Sequence, residues 1–492
     1  MAEAQAPYAA GLRTVASELD DVKLPVEGTP PPWLSGTLLR NGPACFEAGD
    51  RSYRHWFDGQ AMIHRFRVDG GNVTYSNRYL ETPARTEALT NGRIGYREFA
   101  TDPCRSLFRR LFTLFAPNPL PPSGNANVNV IPYGDRMLAL TETPLPVEFD
   151  PETLRTVGVV GYEDALAAQL TTAHPHVEPG EGHLLNYSVR FGRVSQYLIH
   201  RQREGSVTRR EVLAEQPVTR PSYMHSFAVT ASYAVLVDFP YRVNPLALLL
   251  SGRPFIENYT WRPDEPTRIT LFSLADGSVA GTYEAPAMFA FHHINAYEEE
   301  GAAGAGAGPA AVVLDLCAYP DAEIVRSLYL DRLRAGGVVA QPLPTRLRVD
   351  RRTGTVSVTR LSAEPMELPR INYRHHNGRS YRYAYGVGAR NPQDPDFLNQ
   401  LVKLDLESGA TRTWHEPGCY PGEPVFVPAP DAAPDDEDGG AVLSVVLDAA
   451  AQSSYLLVLD AASFEELARA RVPQAVPFGF HGVFTRGDGG SG

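Results

Sequence analysis

Lysine is almost missing from this 492-residue chain: two of its 45 basic residues are Lys23 and Lys403, and the rest are arginine. Cysteine is sparse as well, with Cys45, Cys104, Cys317 and Cys419 far apart and no CxxC pair. That spacing excludes a zinc ribbon and a dense disulfide framework, and it suits a reducing cytoplasm. No run of eighteen apolar residues occurs, and the Met-Ala-Glu-Ala-Gln start has no basic and apolar signal pattern, so no membrane span is expected. Positive charge is in deficit, with a formal net charge of −12, which argues against nucleic acid as a partner because phosphate binding needs clustered Lys and Arg. With 43% hydrophobic residues the chain can bury a substantial core.

What is present is a repeated hairpin grammar. A short alternating strand, a polar turn with Gly, Ser or Thr, and a second alternating strand recur around Asp69, Asp150, Glu204, Asp276, Asp350, Asp405 and Asp460. The steps between them are roughly 55 to 80 residues, longer than compact propeller repeats, so long insertions join the strands. Repeated antiparallel units bury both faces by radial stacking. The expectation is an all-β, seven-bladed β-propeller forming one domain over residues 1–492. Helical and loop insertions cap one face, and the ends are flexible at 1–12 and 486–492. An elongated sandwich or two barrels is the alternative.

Thirteen histidines are ordinary for this length, but His174, His225, His292 and His481 sit in apolar or aromatic settings, 51, 67 and 189 residues apart. Those distances exclude a zinc site built on one helix face and suit one ligand from each of four blades. Imidazole alone does not name the metal. Four neutral ligands leave a divalent charge uncompensated, which nearby carboxylates would answer by accepting the other ring N–H. Glu142, Glu367 and Glu423 lie in similarly apolar segments. Between His292 and His293 the strand period does not choose.

Several segments in order, LRNGPACFEAG, HWFDGQAMIHRF, AHPH, MHSF, FHHINAYEE, EPVFVP and FHGVF, resemble the carotenoid cleavage oxygenases over nearly the whole chain. The resemblance implies an axial Fe(II), one per chain, held by His174, His225, His292 and His481, with Glu142, Glu367 and Glu423 behind them. It selects His292 over His293, sets His176 aside as a neighbour, and puts Val128 where a side chain partly blocks a coordination site. It further implies O2 and an apolar polyene as substrates, with aldehydes as products. The arginine-rich composition and short N-terminus point to a bacterial member.

Similarity to the animal branch makes DPCRSLFRRLFTLF a membrane-facing stretch, with Leu107, Phe108, Leu111, Phe112, Leu114 and Phe115 apolar between arginines. Cys104 matches a position lipidated in animals, a modification not expected here. The chain is thus expected to be cytoplasmic and peripherally membrane-associated. Phe289, Phe291, Phe478 and Phe480 are candidates to line a tunnel. Stilbene cleavage is the rival within the family. It uses a lysine immediately before the first of the three glutamates, where this chain has Thr141. Retinoid isomerisation would use the same ligands, and a non-catalytic binding scaffold is the reading from another class.

Overall fold

The computed structural model describes residues 5–102, 123–203, 205–301, 308–393, 396–433 and 435–486. Seven sheets of four to six antiparallel strands follow one another along the chain. Each is one blade of a β-propeller. Every expected hairpin falls in a different blade and joins its two outer strands, as Gln60–Asp69 with Asn72–Tyr79 in blade 1 and Gln400–Asp405 with Thr411–Trp414 in blade 6.

The aspartates explain why these turns form. Asp150 Oδ1 accepts from Glu152 N and Thr153 N at 2.8 and 2.9 Å, and Asp350 Oδ1 accepts from Arg352 N and Thr353 N at 3.0 and 2.8 Å. The side chain thereby satisfies the amides that a reversing backbone leaves unpaired. Gly354 and Gly409 follow at φ +73° and +71°, a conformation costly for any residue with a Cβ.

Both chain ends close the ring. The C-terminal strand Gly482–Thr485 is the inner strand of blade 1 and pairs with Gly36–Cys45, Leu38 opposite Phe484. The N-terminal strand Val26–Gly28 adds an outer strand to blade 7 through Glu466–Val472. Buried polar groups link neighbouring blades as well. Arg346 of blade 5 holds Asp315 through two bonds of 2.8 Å, and Tyr381 beside blade 6 donates to the same carboxylate at 2.7 Å.

One expectation is corrected at the N-terminus. Residues Pro7–Leu12, placed in a flexible segment 1–12, form a 3-10 helix with Tyr8, Ala9, Ala10, Gly11 and Leu12 buried. Tyr8 stacks on Phe397 with ring centroids 5.2 Å apart, and a Cβ on Gly11 would meet the Phe478 ring at 2.5 Å. An apolar run of this kind is drawn into the core once aromatic side chains offer it a surface. The residues expected to face a membrane, Leu107, Phe108, Leu111, Phe112, Leu114 and Phe115, and Cys104, lie outside the described residues. Cys45, Cys317 and Cys419 are free thiols.

Three buried histidines away from the axis, His55, His64 and His200, are pushed down to about 3 by burial. An unfolded histidine protonates near pH 6.5, so the stability each contributes is whole above that pH and is lost as pH falls toward 3. His64 provides the cleanest case, because its Nδ1 lies 2.7 Å from the buried Tyr75 hydroxyl. The Tm gap between wild type and His64→Gln should be wider at about pH 7 than at about pH 4.5. An equal gap at both would show that His64 plays no part in acid unfolding.

Candidate metal centre

The inner strands of the blades present one site residue apiece around the axis. His481 precedes Gly482–Thr485 of blade 1 and Val128 precedes Asn129–Tyr133 of blade 2. His174 lies between the short inner strands of blade 3, His225 precedes Ala228–Val229 of blade 4, and His292 precedes His293–Glu299 of blade 5. Glu367 opens the inner strand of blade 6, and Glu423 lies between the two inner strands of blade 7.

His174, His225, His292 and His481 converge so that one ligand atom from each lies within 4.8 Å of the others, an arrangement that could hold a metal ion. His174 Nε2 is 3.0 Å from His225 Nε2, and His292 Nε2 is 3.1 Å from His481 Nε2. Two nitrogens at right angles around an ion at the usual imidazole distance of about 2.1 Å stand about 3.0 Å apart.

The other ring nitrogens are engaged. His225 Nδ1 bonds to Glu142 at 2.7 Å, His292 Nδ1 to Glu367 at 2.5 Å and His481 Nδ1 to Glu423 at 2.7 Å. Each bond puts the proton on Nδ1 and turns the Nε2 lone pair to the axis. His292 and His481 therefore face each other with two lone pairs and no proton between them, a contact that favours a cation at the centre. Among the described residues no carboxylate bonds to His174, whose backbone N–H is held by Thr172 Oγ1 at 3.0 Å. Burial, reinforced by the neighbouring imidazoles, drives His174 and His481 well below the ordinary histidine range, so both are neutral and ready to coordinate.

The carboxylates have their own partners. Tyr223 donates to Glu142 at 2.8 Å and Tyr319 to Glu367 at 3.2 Å. Glu423, fully buried, forms an ion pair with Arg40, itself 4% exposed, and accepts from Gly482 N at 3.0 Å. A Cβ on Gly482 would meet the Leu39 carbonyl at 2.3 Å, so only glycine fits beside His481. Burial raises the Glu367 carboxyl, but the facing His292 and its hydrogen bonds outweigh that and leave it below the usual carboxylate range.

His293 turns away and shares a 2.8 Å hydrogen bond with Ser226 Oγ, and His176 bonds to the Tyr373 hydroxyl and the Phe227 carbonyl at 3.0 Å each. Arg40, Tyr223 and Tyr319 were not picked out from the sequence. The only signal was the place of Arg40 inside, and of Tyr223 beside, a matching segment; Tyr319 had none.

A cavity of about 740 Å3 reaches the site from outside; Phe57, Val128, Glu142 and His225 form its inner end, and Leu246 and Leu248 its outer end. A smaller cavity of about 60 Å3 lies on the other side of Val128 and His225, between Phe291, Ile324, Phe397 and Phe480. Two of the four candidate tunnel phenylalanines thus line a cavity. Phe289 and Phe478 do not; they pack in the core against Tyr241 and Phe397.

A propeller with four axial histidines defines a class of metal-site proteins, and comparison with known proteins narrows it. The family model for "Retinal pigment epithelial membrane protein" matches residues 12–486. The carotenoid isomerooxygenase of Galleria mellonella is 35% identical over 500 residues, covering 94% of each chain. Human beta,beta-carotene 15,15'-dioxygenase is 32% identical, covering 96% of this chain and 93% of its own. Cobalt-substituted Synechocystis ACO superposes with a TM-score of 0.83 at 28% identity, covering 98% of both chains. The chain belongs to the family of the retinal pigment epithelial membrane protein and the carotenoid cleavage oxygenases.

If the axial cluster binds metal as its geometry indicates, His481→Ala should purify with little bound iron. Glu142→Gln and Glu423→Gln should each weaken metal affinity by about 10- to 100-fold. Only Glu423→Gln should also lower the Tm markedly, because it strands buried Arg40, a defect worth about 3–5 kcal/mol. Iron content and thermal melts of the three variants check this, and full iron in His481→Ala would remove that residue from the ligand set.

Proposed function

We propose that this chain is a non-haem Fe(II) dioxygenase that cleaves one conjugated double bond of a carotenoid or apocarotenoid. The observation that carries the reading is the convergence of four imidazole nitrogens beside a cavity of mostly apolar lining that reaches His225. Relatives named for carotenoid cleavage support it. His174, His225, His292 and His481 would hold the iron, and Glu142, Glu367 and Glu423 would orient the last three. Counted as carboxylates these glutamates bring three negative charges, which Arg40 beside Glu423, Arg370 3.6 Å from the same carboxylate and a divalent ion would together offset.

Bound iron supplies the one-electron redox chemistry by which dioxygen reacts with an alkene. Each alkene carbon gains one oxygen atom as the bond between them breaks, so O2 and one double bond account for two aldehydes. No side chain has to give or take a proton. The protein's part is to orient the polyene and exclude water. Val128 lines both cavities, and its carbonyl accepts from His481 N at 3.2 Å, so it both narrows the passage and fixes a ligand's backbone.

Stilbene cleavage lacks its lysine here. Thr141 lines the large cavity at the relevant place, Lys403 is buried in an ion pair with Asp438, and Lys23 is exposed on an outer strand. Free thiols fit a cytoplasmic location. No helix among the described residues is long and apolar enough to cross a membrane. Peripheral contact is favoured instead by the helix Pro245–Leu250 at the cavity's outer end, where Leu246 and Leu250 are 62% and 75% exposed.

Expression in carotenoid-accumulating bacteria should bleach the cells and yield two aldehydes per polyene, with loss of turnover on iron chelation. Recovery of an intact isomer in place of aldehydes would replace cleavage with isomerisation, and no iron and no bleaching would leave a binding scaffold. Separately, Leu246→Asp with Leu250→Asp should reduce liposome co-sedimentation at unchanged iron content. Undiminished binding would show that this helix is not the membrane contact.

A further inference from the structure

The large cavity is not apolar throughout. Phe57, Phe99, Leu170 and Phe255 contribute to its apolar lining, but one wall carries the carboxyl of Glu98 with Ser123 and Asn125 beside it. Asn125 donates to the Gly59 carbonyl at 3.0 Å, accepts from Ala61 N at 2.9 Å through its Oδ1, and its side chain also hydrogen-bonds to Glu98. Ser123 Oγ approaches Glu98 at 3.5 Å.

Asp58, close by, is fully buried and well supplied, accepting from His55 N at 3.0 Å, Ala100 N at 2.9 Å and Thr101 Oγ1 at 2.6 Å. Of two neighbouring acids in a low-dielectric wall, the one with fewer donors carries the proton. Burial, with Asp58 adding to it, accordingly pushes Glu98 well above the usual carboxylate range. A neutral carboxyl facing a cavity presents its O–H as a donor to any acceptor in the molecule that fills it. A hydrocarbon polyene would cover it and offer none, whereas an oxygen-bearing end group would satisfy it.

We propose that Glu98, supported by Ser123, is a specificity-determining residue that takes the terminal carbonyl or hydroxyl oxygen of an oxygenated polyene, so that the enzyme favours oxygenated over hydrocarbon carotenoids. This rests on the cleavage reading above and names the substrate class within it.

The test uses the full-length, iron-loaded enzyme with three substrates: an apocarotenal, the corresponding alcohol and a hydrocarbon carotene. Glu98→Leu should raise KM for the oxygenated substrates about tenfold or more and lower KM for the carotene, with kcat little changed. Glu98→Gln, which keeps a donor, should retain most of the preference. A response to the aldehyde alone or to both compounds identifies which oxygen is read. Should Glu98→Leu fail to fold, Ser123→Ala is expected to weaken the same preference in the same direction. An unchanged ratio of the substrates in the soluble variant overturns the proposal. If wild type cleaves no polyene, the cleavage reading falls separately. Fluorescence quenching of chelator-treated protein by apocarotenal and by carotene then still decides whether Glu98 discriminates.

Discussion

Everything at the axis follows from the cost of placing a doubly charged ion among neutral imidazoles in a buried setting. Water cannot screen it there, so the countercharge must come from the protein and must sit one atom layer out. Three glutamates meet that need through the Nδ1 atoms of His225, His292 and His481. The same bonds fix the ring tautomers, so charge balance and ligand orientation are solved by one set of contacts. At Glu423 the negative charge is answered as well by Arg40 from the neighbouring strand and by Arg370 at 3.6 Å.

These contacts also explain why a propeller suits the site. Glu142 of blade 2 reaches His225 of blade 4, Glu367 of blade 6 reaches His292 of blade 5, and Glu423 of blade 7 reaches His481 of blade 1. The last pair crosses the seam where the ring closes, next to the pairing of Gly482–Thr485 with Gly36–Cys45. Ring closure and metal binding are thereby coupled: the strand that seals the propeller is the strand that delivers the fourth histidine. A metal held only by the assembled set would add its affinity to the stability of the closed ring.

How much of this was legible in the sequence depended on whether a local rule applied. The hairpins were readable because Asp150, Asp350 and Asp405 signal a turn through bonds within three residues. The four histidines were readable as an unusual set, but His292 and His293 could be separated only by resemblance. Strand alternation says that they face opposite ways and not which way is inward. Arg40 and Tyr319 act across blades, at sequence distances where no periodicity operates. Phe289 and Phe478 show the reverse failure, since an aromatic flanking a ligand packs into core or lines a cavity according to neighbours far along the chain. Pro7–Leu12 was misread because a terminal position suggests freedom, whereas burial is decided by the partners Phe397 and Phe478.

The cavity extends the same logic to substrate. A reaction in which iron carries the electrons leaves the protein two tasks, placing one double bond and keeping water out, and apolar walls perform the second at no cost in specificity. They perform the first poorly, because a uniform polyene can slide along a uniform wall with little change in contact energy. Sliding is limited at the iron end by Val128, which stands between the large and small cavities. At the other, a polar group such as Glu98 on a mostly apolar wall would set a position that dispersion contacts cannot. On the cleavage reading, the bond presented to the iron would then be set by the distance between Val128 and the polar wall, and by which end of the polyene carries oxygen.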